Sequence, residues 1–218
     1  SDVYKRQIVH TSIGFDLTIT GLLAPLIVGK KVVMVADSMG MEVLTDVVME
    51  QSEKMMLKLT PAHLKALNPW LTGLQEPLPL DVLIVGGEAL YEKDIAVCRE
   101  RFPDLKIYNE YGPTEATVGS SIYLCDDLGA EDDVVPIGHP VSATDLYVLD
   151  SQGQALPLFC SGELYIGGLG LAAGYLNMPD VTSERFVELE LPESGKQRLY
   201  KTGDVVRLED TKQAGLIY

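Results

Sequence analysis

The chain has 218 residues, 46% of them hydrophobic and 22% charged, so it is long enough to bury a core in one large or two modest domains. Its formal net charge of -15, from 32 acidic and 17 basic residues, argues against nucleic acid as a partner. No apolar run reaches the roughly 18 residues that a membrane span needs. The 3 cysteines are too far apart for a disulfide framework or metal-ligand spacing, which predicts a reduced, cytoplasmic protein.

The first half of the chain predicts alternating strands and helices. Apolar runs predict strands, and apolar residues at helical spacing predict helices. The predicted strands are 31–35, 55–59, 82–85 and 105–108, and the predicted helices are 42–54 and 92–102. Thr60 and Pro61 predict the start of another helix, with Thr60 as its N-cap. This alternation predicts an α/β fold with a largely parallel sheet flanked by helices.

The second half of the chain has a different pattern. It begins after the acidic, polar segment 126–133. Short apolar runs at 146–149, 155–158 and 164–166 predict strands, and the polar residues 150–153 predict a turn between the first two. These short strands predict an antiparallel or barrel-like subdomain.

The most informative motif follows the strand predicted at 105–108. It reads Asn-Glu-Tyr-Gly-Pro-Thr-Glu-Ala-Thr and spans residues 109–117. Tyr111 offers a flat ring for a base, and Gly112 lets the backbone approach a ligand closely. Thr114 can donate to a phosphate oxygen, and Glu115 can bind Mg²⁺. Taken alone, the motif is more simply explained as a Gly-Pro turn with solvated polar side chains.

Two downstream motifs favour the nucleotide interpretation. Residues 162–168 read Gly-Glu-Leu-Tyr-Ile-Gly-Gly and lead to Gly-Tyr-Leu at 174–176, and residues 200–204 read Tyr-Lys-Thr-Gly-Asp. In order and spacing, these motifs and residues 109–117 closely resemble the core motifs of adenylate-forming (AMP-binding) enzymes. The resemblance is strongest to the adenylation domains of nonribosomal peptide synthetases, and it extends from about His10 to Tyr218.

The resemblance implies a division of the chain. It implies an α/β subdomain at 8–124, with the amino-acid pocket and part of the nucleotide site, followed by a distorted β-barrel-like subdomain at 125–218. Residues 1–7 do not match the family, and we expect them to be non-native. The family's phosphate loop and its lysine-bearing C-terminal domain have no counterpart in these 218 residues, so we expect a fragment that is inactive by itself.

The resemblance also implies roles in nucleotide binding, with ATP and Mg²⁺ as cofactors. Asn109 matches the residue that bonds the adenine amino group, Tyr111 the ring that stacks on the base, Thr114 the phosphate-contacting hydroxyl, Glu115 the Mg²⁺ carboxylate, Asp204 the carboxylate that accepts both ribose hydroxyls, and Tyr218 an aromatic near the nucleotide. Thr114 and Glu115 are the candidate catalytic residues. Taken alone, Asp204 would be interpreted as a turn residue.

The implied reaction joins an amino acid to AMP. A substrate carboxylate attacks the α-phosphate of ATP, and the aminoacyl group then passes to the phosphopantetheine thiol of a carrier-protein domain, which we expect in the same polypeptide. Asp16 matches the carboxylate that pairs with the substrate α-ammonium; its alternative role is to cap the following helix. The implied pocket positions are Asp16, Leu17, Thr20, Lys58, Ile84, Gly86, Glu110, Val118 and Gly119.

The polar pocket positions predict the substrate side chain. A primary carboxamide can donate to Glu110 and accept from Lys58 or Thr20, whereas Glu110 would repel a side-chain carboxylate. This chemistry predicts asparagine, and the pocket set resembles that of asparagine-activating domains. Glutamine, one methylene longer, differs by only about 1 to 3 kcal/mol. Lys58 has the alternative of lying on the solvent face of a half-buried strand.

Two other functions remain open from the sequence. One is an acyl-CoA or aryl-CoA ligase of the same superfamily, although an acid without an α-amine would leave Asp16 without a partner. The other is a truncated remnant that keeps the pocket but catalyses nothing.

Overall fold

The structure is a computed structural model and describes residues 6–35, 40–126, 133–192, 195–209 and 215–217. The described residues form two compact units. The first contains the residues up to Asn109 together with Leu124–Val135, and the second contains Glu110–Tyr123 and the residues from Pro136 onward. These units are not separated by a single boundary between residues 124 and 125, the division that the family resemblance implies. The segment from Glu110 closes on itself, since the backbone N–H of Ser120 donates to the carbonyl of Tyr111 at 2.8 Å.

The first unit is a largely parallel sheet with helices. Its strands are β1 (Arg6–Val9), β2 (Val32–Met34), β3 (Met55–Leu59), β4 (Leu80–Gly86) and β5 (Lys106–Tyr111), the last two residues of which belong to the second unit. Its helices are α1 (Leu17–Ile27), α2 (Met41–Met49), α3 (Pro61–Gly73) and α4 (Glu92–Arg101). The strand order is β2-β1-β3-β4-β5. Strand β1 pairs in parallel with β2 and β3, and β3 with β4. The predicted α/β class is confirmed.

Burial explains why β3 and β4 are apolar at every position except Lys58 and Asp81. Every residue of β3 is buried, and in β4 only Asp81 is partly exposed. Strands covered on both faces require such continuous apolar runs. Helix α3 begins as predicted, because the Thr60 hydroxyl accepts a hydrogen bond from the backbone N–H of His63 at 3.3 Å, with Pro61 at the first helical position. No helix among the described residues is long and apolar enough to cross a membrane.

Two elements of the first unit differ from the sequence prediction. Strand β1 begins at Arg6, so the sheet includes Arg6 and Gln7, two residues of the segment 1–7 that we expected to be non-native. Gln7 pairs with Val32 and Met56 and has no exposed surface. Helix α2 ends at Met49 rather than at 54. The next five residues are polar until Met55, so a longer helix would bury no further apolar surface.

The second unit contains an antiparallel sheet. Its elements are a 3₁₀ turn (Thr114–Ala116), β6 (Ser121–Leu124), β7 (His139–Pro140), β8 (Thr144–Leu149), β9 (Ser161–Gly168), α5 (Pro179–Arg185), β10 (Phe186–Leu191), β11 (Gly195–Leu208) and β12 (Leu216–Ile217). Strands β6 and β7 pair with each other. The larger sheet has the order β10-β11-β9-β8, with β12 beside β11. This sheet confirms the predicted antiparallel arrangement.

Alternating side chains of β9 give the second unit a core on each face of its sheet. Leu164 and Ile166 pack in one cluster, which also includes Val148 and Val206, while Tyr165 packs in another. This alternation is the normal period of a strand.

The strand predicted at 155–158 is wrong. Only Ala155 forms an isolated bridge, with Leu149. Pro157 lacks an N–H for a ladder, and Phe159 has a positive φ of 67°, which ends extended pairing.

Candidate nucleotide and amino-acid site

The residues predicted to bind adenine lie at the end of a strand rather than in a loop. Strand β5 continues through Asn109, Glu110 and Tyr111. Asn109 is 3% exposed, and its side-chain amide donates to the carbonyl of Val135 at 3.3 Å. This bond orients the amide and satisfies its buried N–H. An adenine amino group is a donor, so it would need the amide oxygen of Asn109 as its acceptor. The adenine role of Asn109 stays a prediction.

A strained hairpin follows this strand. The 3₁₀ turn at Thr114–Ala116 is followed by two residues in the left-handed region, Thr117 with φ 60° and Val118 with φ 70°. A β-branched residue rarely adopts this conformation, so Val118 stores backbone strain. The hairpin is closed by hydrogen bonds from Ser120 N–H to the Tyr111 carbonyl at 2.8 Å and from Gly119 N–H to the Thr117 carbonyl at 2.9 Å. Such strain is typical of ligand-binding loops.

Two glycines allow the hairpin to close. A Cβ atom on Gly112 would lie 2.1 Å from the carbonyl oxygen of Val118 and 2.6 Å from the backbone nitrogen of Ser120. A Cβ atom on Gly119 would lie 2.3 Å from Oε1 of Glu110. Gly112 therefore lets two backbone segments meet, and Gly119 leaves room for the Glu110 carboxylate.

Tyr111 and Asp204 are 93 residues apart in sequence but in direct contact. The Tyr111 hydroxyl donates to Oδ2 of Asp204 at 2.6 Å. The pairing of β9 with β11 shifts between Lys201 and Val205, and this bulge releases Asp204 from regular pairing. The Asp204 N–H donates to the hydroxyl of Thr202 at 3.0 Å, which fixes the bulge. A direct hydrogen bond thus joins Tyr111, which is predicted to stack on the base, to Asp204, which is predicted to accept the ribose hydroxyls.

Glu115, the predicted Mg²⁺ ligand, is held by tyrosine. The Tyr175 hydroxyl donates to Oε1 of Glu115 at 2.5 Å. Burial, together with the hydrogen bond to Glu115, raises the pKa of Tyr175. Burial also raises the pKa of the neighbouring Tyr200, and hydrogen bonding to Tyr175 adds to the effect. Both phenols therefore remain protonated donors at neutral pH.

The residues around Glu115 fit an ion that arrives with its substrate. Among the described residues, no three His, Cys, Asp or Glu side chains form a group that could hold a metal ion. Mg²⁺ is usually bound by one or two carboxylates together with substrate phosphates and water. Glu115 would supply the carboxylate, and the exposed Thr114 hydroxyl lies beside it in the chain. The donor set therefore suits Mg²⁺ bound to ATP.

The first unit buries a lysine at the predicted amino-acid pocket. Lys58 is 4% exposed, and its ammonium donates to the Thr20 hydroxyl at 3.1 Å. The alternative position of Lys58 on a solvent-facing strand surface is therefore wrong. Ile84, which pairs with Lys58 in the parallel register, is also 4% exposed. A buried charge with hydrogen-bonding capacity is costly to keep, which favours a functional role for Lys58.

Asp16 lies at the N-cap position of α1 but does not cap it. Its side chain accepts no hydrogen bond from the first turn of the helix. The capping alternative is therefore not what the structure shows. Leu17 and Thr20 follow on the same helix, and Gly86 ends β4. Asp16, Leu17, Thr20, Lys58, Ile84 and Gly86 belong to the first unit, whereas Glu110, Val118 and Gly119 belong to the second. Tyr218 lies outside the described residues.

Sequence reasoning missed two residues that support this site. Tyr175 was part of a motif but had no assigned role, and Thr202 was named only within the motif of Asp204. The Thr202 hydroxyl also donates to the Leu164 carbonyl at 2.8 Å, which joins β11 to β9 at the bulge. The only sequence signal for either residue was a neighbouring motif glycine, Gly174 before Tyr175 and Gly203 after Thr202.

Comparison with known sequences identifies the family. The model of the AMP-binding enzyme family matches residues 2–176, so residues 2–7, which we expected not to match the family, do match it. The chain is 40% identical over 200 residues to a mycosubtilin synthase protein of Bacillus subtilis, a match that covers 91% of this chain and 8% of that protein. It is also 40% identical over 201 residues to bacitracin synthase 3 of Bacillus licheniformis, covering 92% of this chain and 3% of that protein. The chain thus spans a small part of these relatives.

Solved structures have the same fold. One is holo-PA1221, an NRPS protein containing adenylation and PCP domains bound to a vinylsulfonamide inhibitor; it has a TM-score of 0.86 at 30% identity, over 98% of this chain and 36% of that chain. Another is the AMPPNP-bound form of the nonribosomal peptide synthetase FmoA3, with a TM-score of 0.86 at 26% identity, over 99% of this chain and 23% of that chain. The chain therefore belongs to the AMP-binding enzyme family, among the adenylation domains of nonribosomal peptide synthetases.

Proposed function

We propose that this chain is part of an adenylation domain that activates an amino acid with ATP, and that the amino acid is asparagine. The hydrogen bond between Tyr111 and Asp204 carries the nucleotide part of the proposal. It joins an aromatic ring suited to stacking on a base to a carboxylate suited to accepting ribose hydroxyls. The AMPPNP bound to FmoA3, a structural relative, supports an adenine nucleotide as the ligand.

The proposed reaction depends on positioning two anions against each other. The amino-acid carboxylate attacks the α-phosphorus of ATP, a bond to the carboxylate oxygen forms, and pyrophosphate leaves. Mg²⁺, when bound, neutralises phosphate charge. Tyr111 and Asp204 would hold the nucleoside, Glu115 would bind Mg²⁺, and Thr114 would donate to a phosphate oxygen. Positioning and electrostatic stabilisation account for most of the catalysis in such transfers.

The proposed amino-acid selectivity rests on four polar side chains. Asp16 would pair with the α-ammonium group. The buried Lys58 ammonium and the Thr20 hydroxyl, which are hydrogen-bonded at 3.1 Å, offer donors to a carboxamide oxygen. Glu110, at a pocket position by resemblance, offers an acceptor to the carboxamide N–H. An apolar substrate would leave buried polar groups without new partners, which costs on the order of several kcal/mol.

We further propose that the activated amino acid passes to a phosphopantetheine thiol on a carrier domain of the same polypeptide. The structural relative holo-PA1221, which contains adenylation and PCP domains, supports this partner. We place the reaction in the cytoplasm, where ATP and the carrier protein are available.

The test is amino-acid-dependent ATP–pyrophosphate exchange by the full-length protein. We expect asparagine to give the highest kcat/KM, with aspartate at least 10-fold lower, because one unfavourable carboxylate contact costs about 1.4 kcal/mol or more. Glutamine, leucine and phenylalanine complete the panel. A preference for a different amino acid would overturn asparagine, and no exchange with any amino acid would overturn adenylation itself.

Exchange of Glu110 for glutamine should relax discrimination against aspartate. In Glu110→Gln, the repulsion of a second carboxylate disappears, so we expect the ratio of asparagine to aspartate kcat/KM to fall about 10-fold. Exchange kinetics with both amino acids measure this ratio. Glu188→Gln is the matched control, because Glu188 pairs with Lys196 at 2.6 Å on the surface. An unchanged ratio in Glu110→Gln would remove Glu110 from the pocket.

A further inference from the structure

The chain segment that follows β9 holds the turn that carries Glu115. The backbone N–H of Ala172 donates to the Glu115 carbonyl at 2.8 Å. Three residues later, the Tyr175 hydroxyl donates to the Glu115 carboxylate at 2.5 Å. Both bonds come from the chain that follows β9. The main chain and the side chain of Glu115 are therefore fixed together.

Tyr175 is itself firmly anchored. Its backbone N–H donates to the Thr182 hydroxyl on α5 at 2.9 Å. Its ring lies edge-on to Phe186, with centroids 5.9 Å apart. The Arg198 guanidinium lies 4.5 Å from the centre of the Phe186 ring, and it donates to the carbonyls of Ala172 and Ala173 at 2.9 Å each. The Tyr175 hydroxyl therefore has a defined position relative to the Glu115 turn.

The short bond to Glu115 restricts a side chain that would otherwise rotate. A hydroxyl that donates to a carboxylate over about 2.5 to 2.7 Å forms a charge-assisted hydrogen bond. A glutamate side chain loses rotamer freedom when it is fixed in this way. Carboxylates that bind metal ions are commonly held by such an outer hydrogen bond, and losing it typically weakens metal binding by about 10- to 100-fold.

We infer that Tyr175 is a positioning residue, whose hydroxyl orients the Glu115 carboxylate for the Mg²⁺ that accompanies ATP. The inference rests on the proposed function, since it presupposes that Glu115 meets the metal–nucleotide complex. A phenol is a hydrogen-bond donor here rather than a metal ligand, so its effect reaches the metal only through Glu115. Binding of metal-free AMP, which depends on Tyr111 and Asp204, should not require Tyr175.

The test compares metal binding with nucleotide binding in the full-length protein. Free Mn²⁺ is measured by electron paramagnetic resonance in the presence of AMPPNP, and AMP binding without metal is measured by calorimetry. For Tyr175→Phe, we expect the Mn²⁺ affinity of the AMPPNP complex to fall about 10-fold, with AMP affinity changed less than about twofold. The Mg²⁺ concentration for half-maximal exchange should rise by the same factor as the Mn²⁺ affinity falls.

The matched control is Tyr165→Phe, which removes a hydroxyl 3.5 Å from Oε2 of Glu163 but leaves Glu115 untouched. Its Mn²⁺ affinity should equal that of the wild type. Unchanged Mn²⁺ affinity in Tyr175→Phe would overturn the positioning role, and so would an equal loss of AMP affinity, which would indicate a general structural effect. If the wild type bound neither AMP nor Mn²⁺ with AMPPNP, the proposed function itself would fail.

Discussion

Asp204→Asn should lower kcat/KM for ATP roughly 150-fold. In the variant, an amide replaces the carboxylate, so the negative charge and one of the two oxygens that would accept the ribose hydroxyls are lost. Hydrogen bonds to a charged group contribute about 1.5 to 3 kcal/mol each. A loss of about 3 kcal/mol corresponds to this factor. The fold should persist, because the asparagine oxygen can still accept the hydrogen bond from the Tyr111 hydroxyl, now 2.6 Å from Asp204.

The comparison of ATP with 2′-deoxy-ATP separates ribose recognition from a structural effect. The wild type should prefer ATP by about 10-fold, since one hydrogen bond to a carboxylate is lost with the deoxy analogue. In Asp204→Asn this preference should shrink toward one. Exchange kinetics of the wild type and of Asp204→Asn with each nucleotide supply the four kcat/KM values that this comparison needs. If the preference for ATP survived in the variant, Asp204 would not be the acceptor of the 2′-hydroxyl.

Gly112→Ala should disrupt the strained hairpin at 111–120. The added methyl would lie 2.1 Å from the Val118 carbonyl oxygen, and that backbone atom cannot rotate away as a flexible side chain could. The hairpin must therefore open, which weakens the hydrogen bond from Ser120 to Tyr111. We expect the free energy of unfolding to fall by about 3 kcal/mol, the upper end for overpacking. AMP affinity should fall about 10-fold or more, because the hairpin carries Tyr111 and base stacking on an aromatic ring contributes about 1 to 3 kcal/mol.

Chemical denaturation and AMP calorimetry of the full-length protein measure these two effects. Gly73→Ala is the matched control, because a Cβ atom at Gly73, the last residue of α3, would meet no atom within 4 Å. Its stability and AMP affinity should remain close to those of the wild type. Wild-type AMP affinity in Gly112→Ala would mean that the hairpin does not hold the nucleotide.

Lys58 shows that the burial of a strand residue can differ from what the sequence pattern allows. Period-two alternation allowed Lys58 to face solvent, but the structure buries both faces of β3. Its ammonium is hydrogen-bonded to Thr20, 38 residues away in sequence. Alternation in a short apolar strand cannot reveal that both faces are covered, because the covering elements come from elsewhere in the chain.

Local chemistry determined what the sequence could predict about this protein. The apolar runs determined β3 and β4, and Thr60 and Pro61 determined the start of α3. The residue types at 109–117 and 200–204 carried the prediction of nucleotide binding. Each of these signals lies within a few neighbouring residues, so no knowledge of distant packing was needed. The family resemblance was carried by the same short motifs.

Only the tertiary structure decided which of these groups meet. The bond between Tyr111 and Asp204 depends on the register of β9 with β11 and on the bulge after Lys201. The hydrogen bond between Tyr175 and Glu115 joins residues that are 60 apart in sequence, and it depends on the path of the chain after β9. The left-handed conformation of Val118 likewise accompanies the close approach of its carbonyl to Gly112. Contacts between distant residues are set by the global balance of burial and hydrogen bonding, which no local pattern contains.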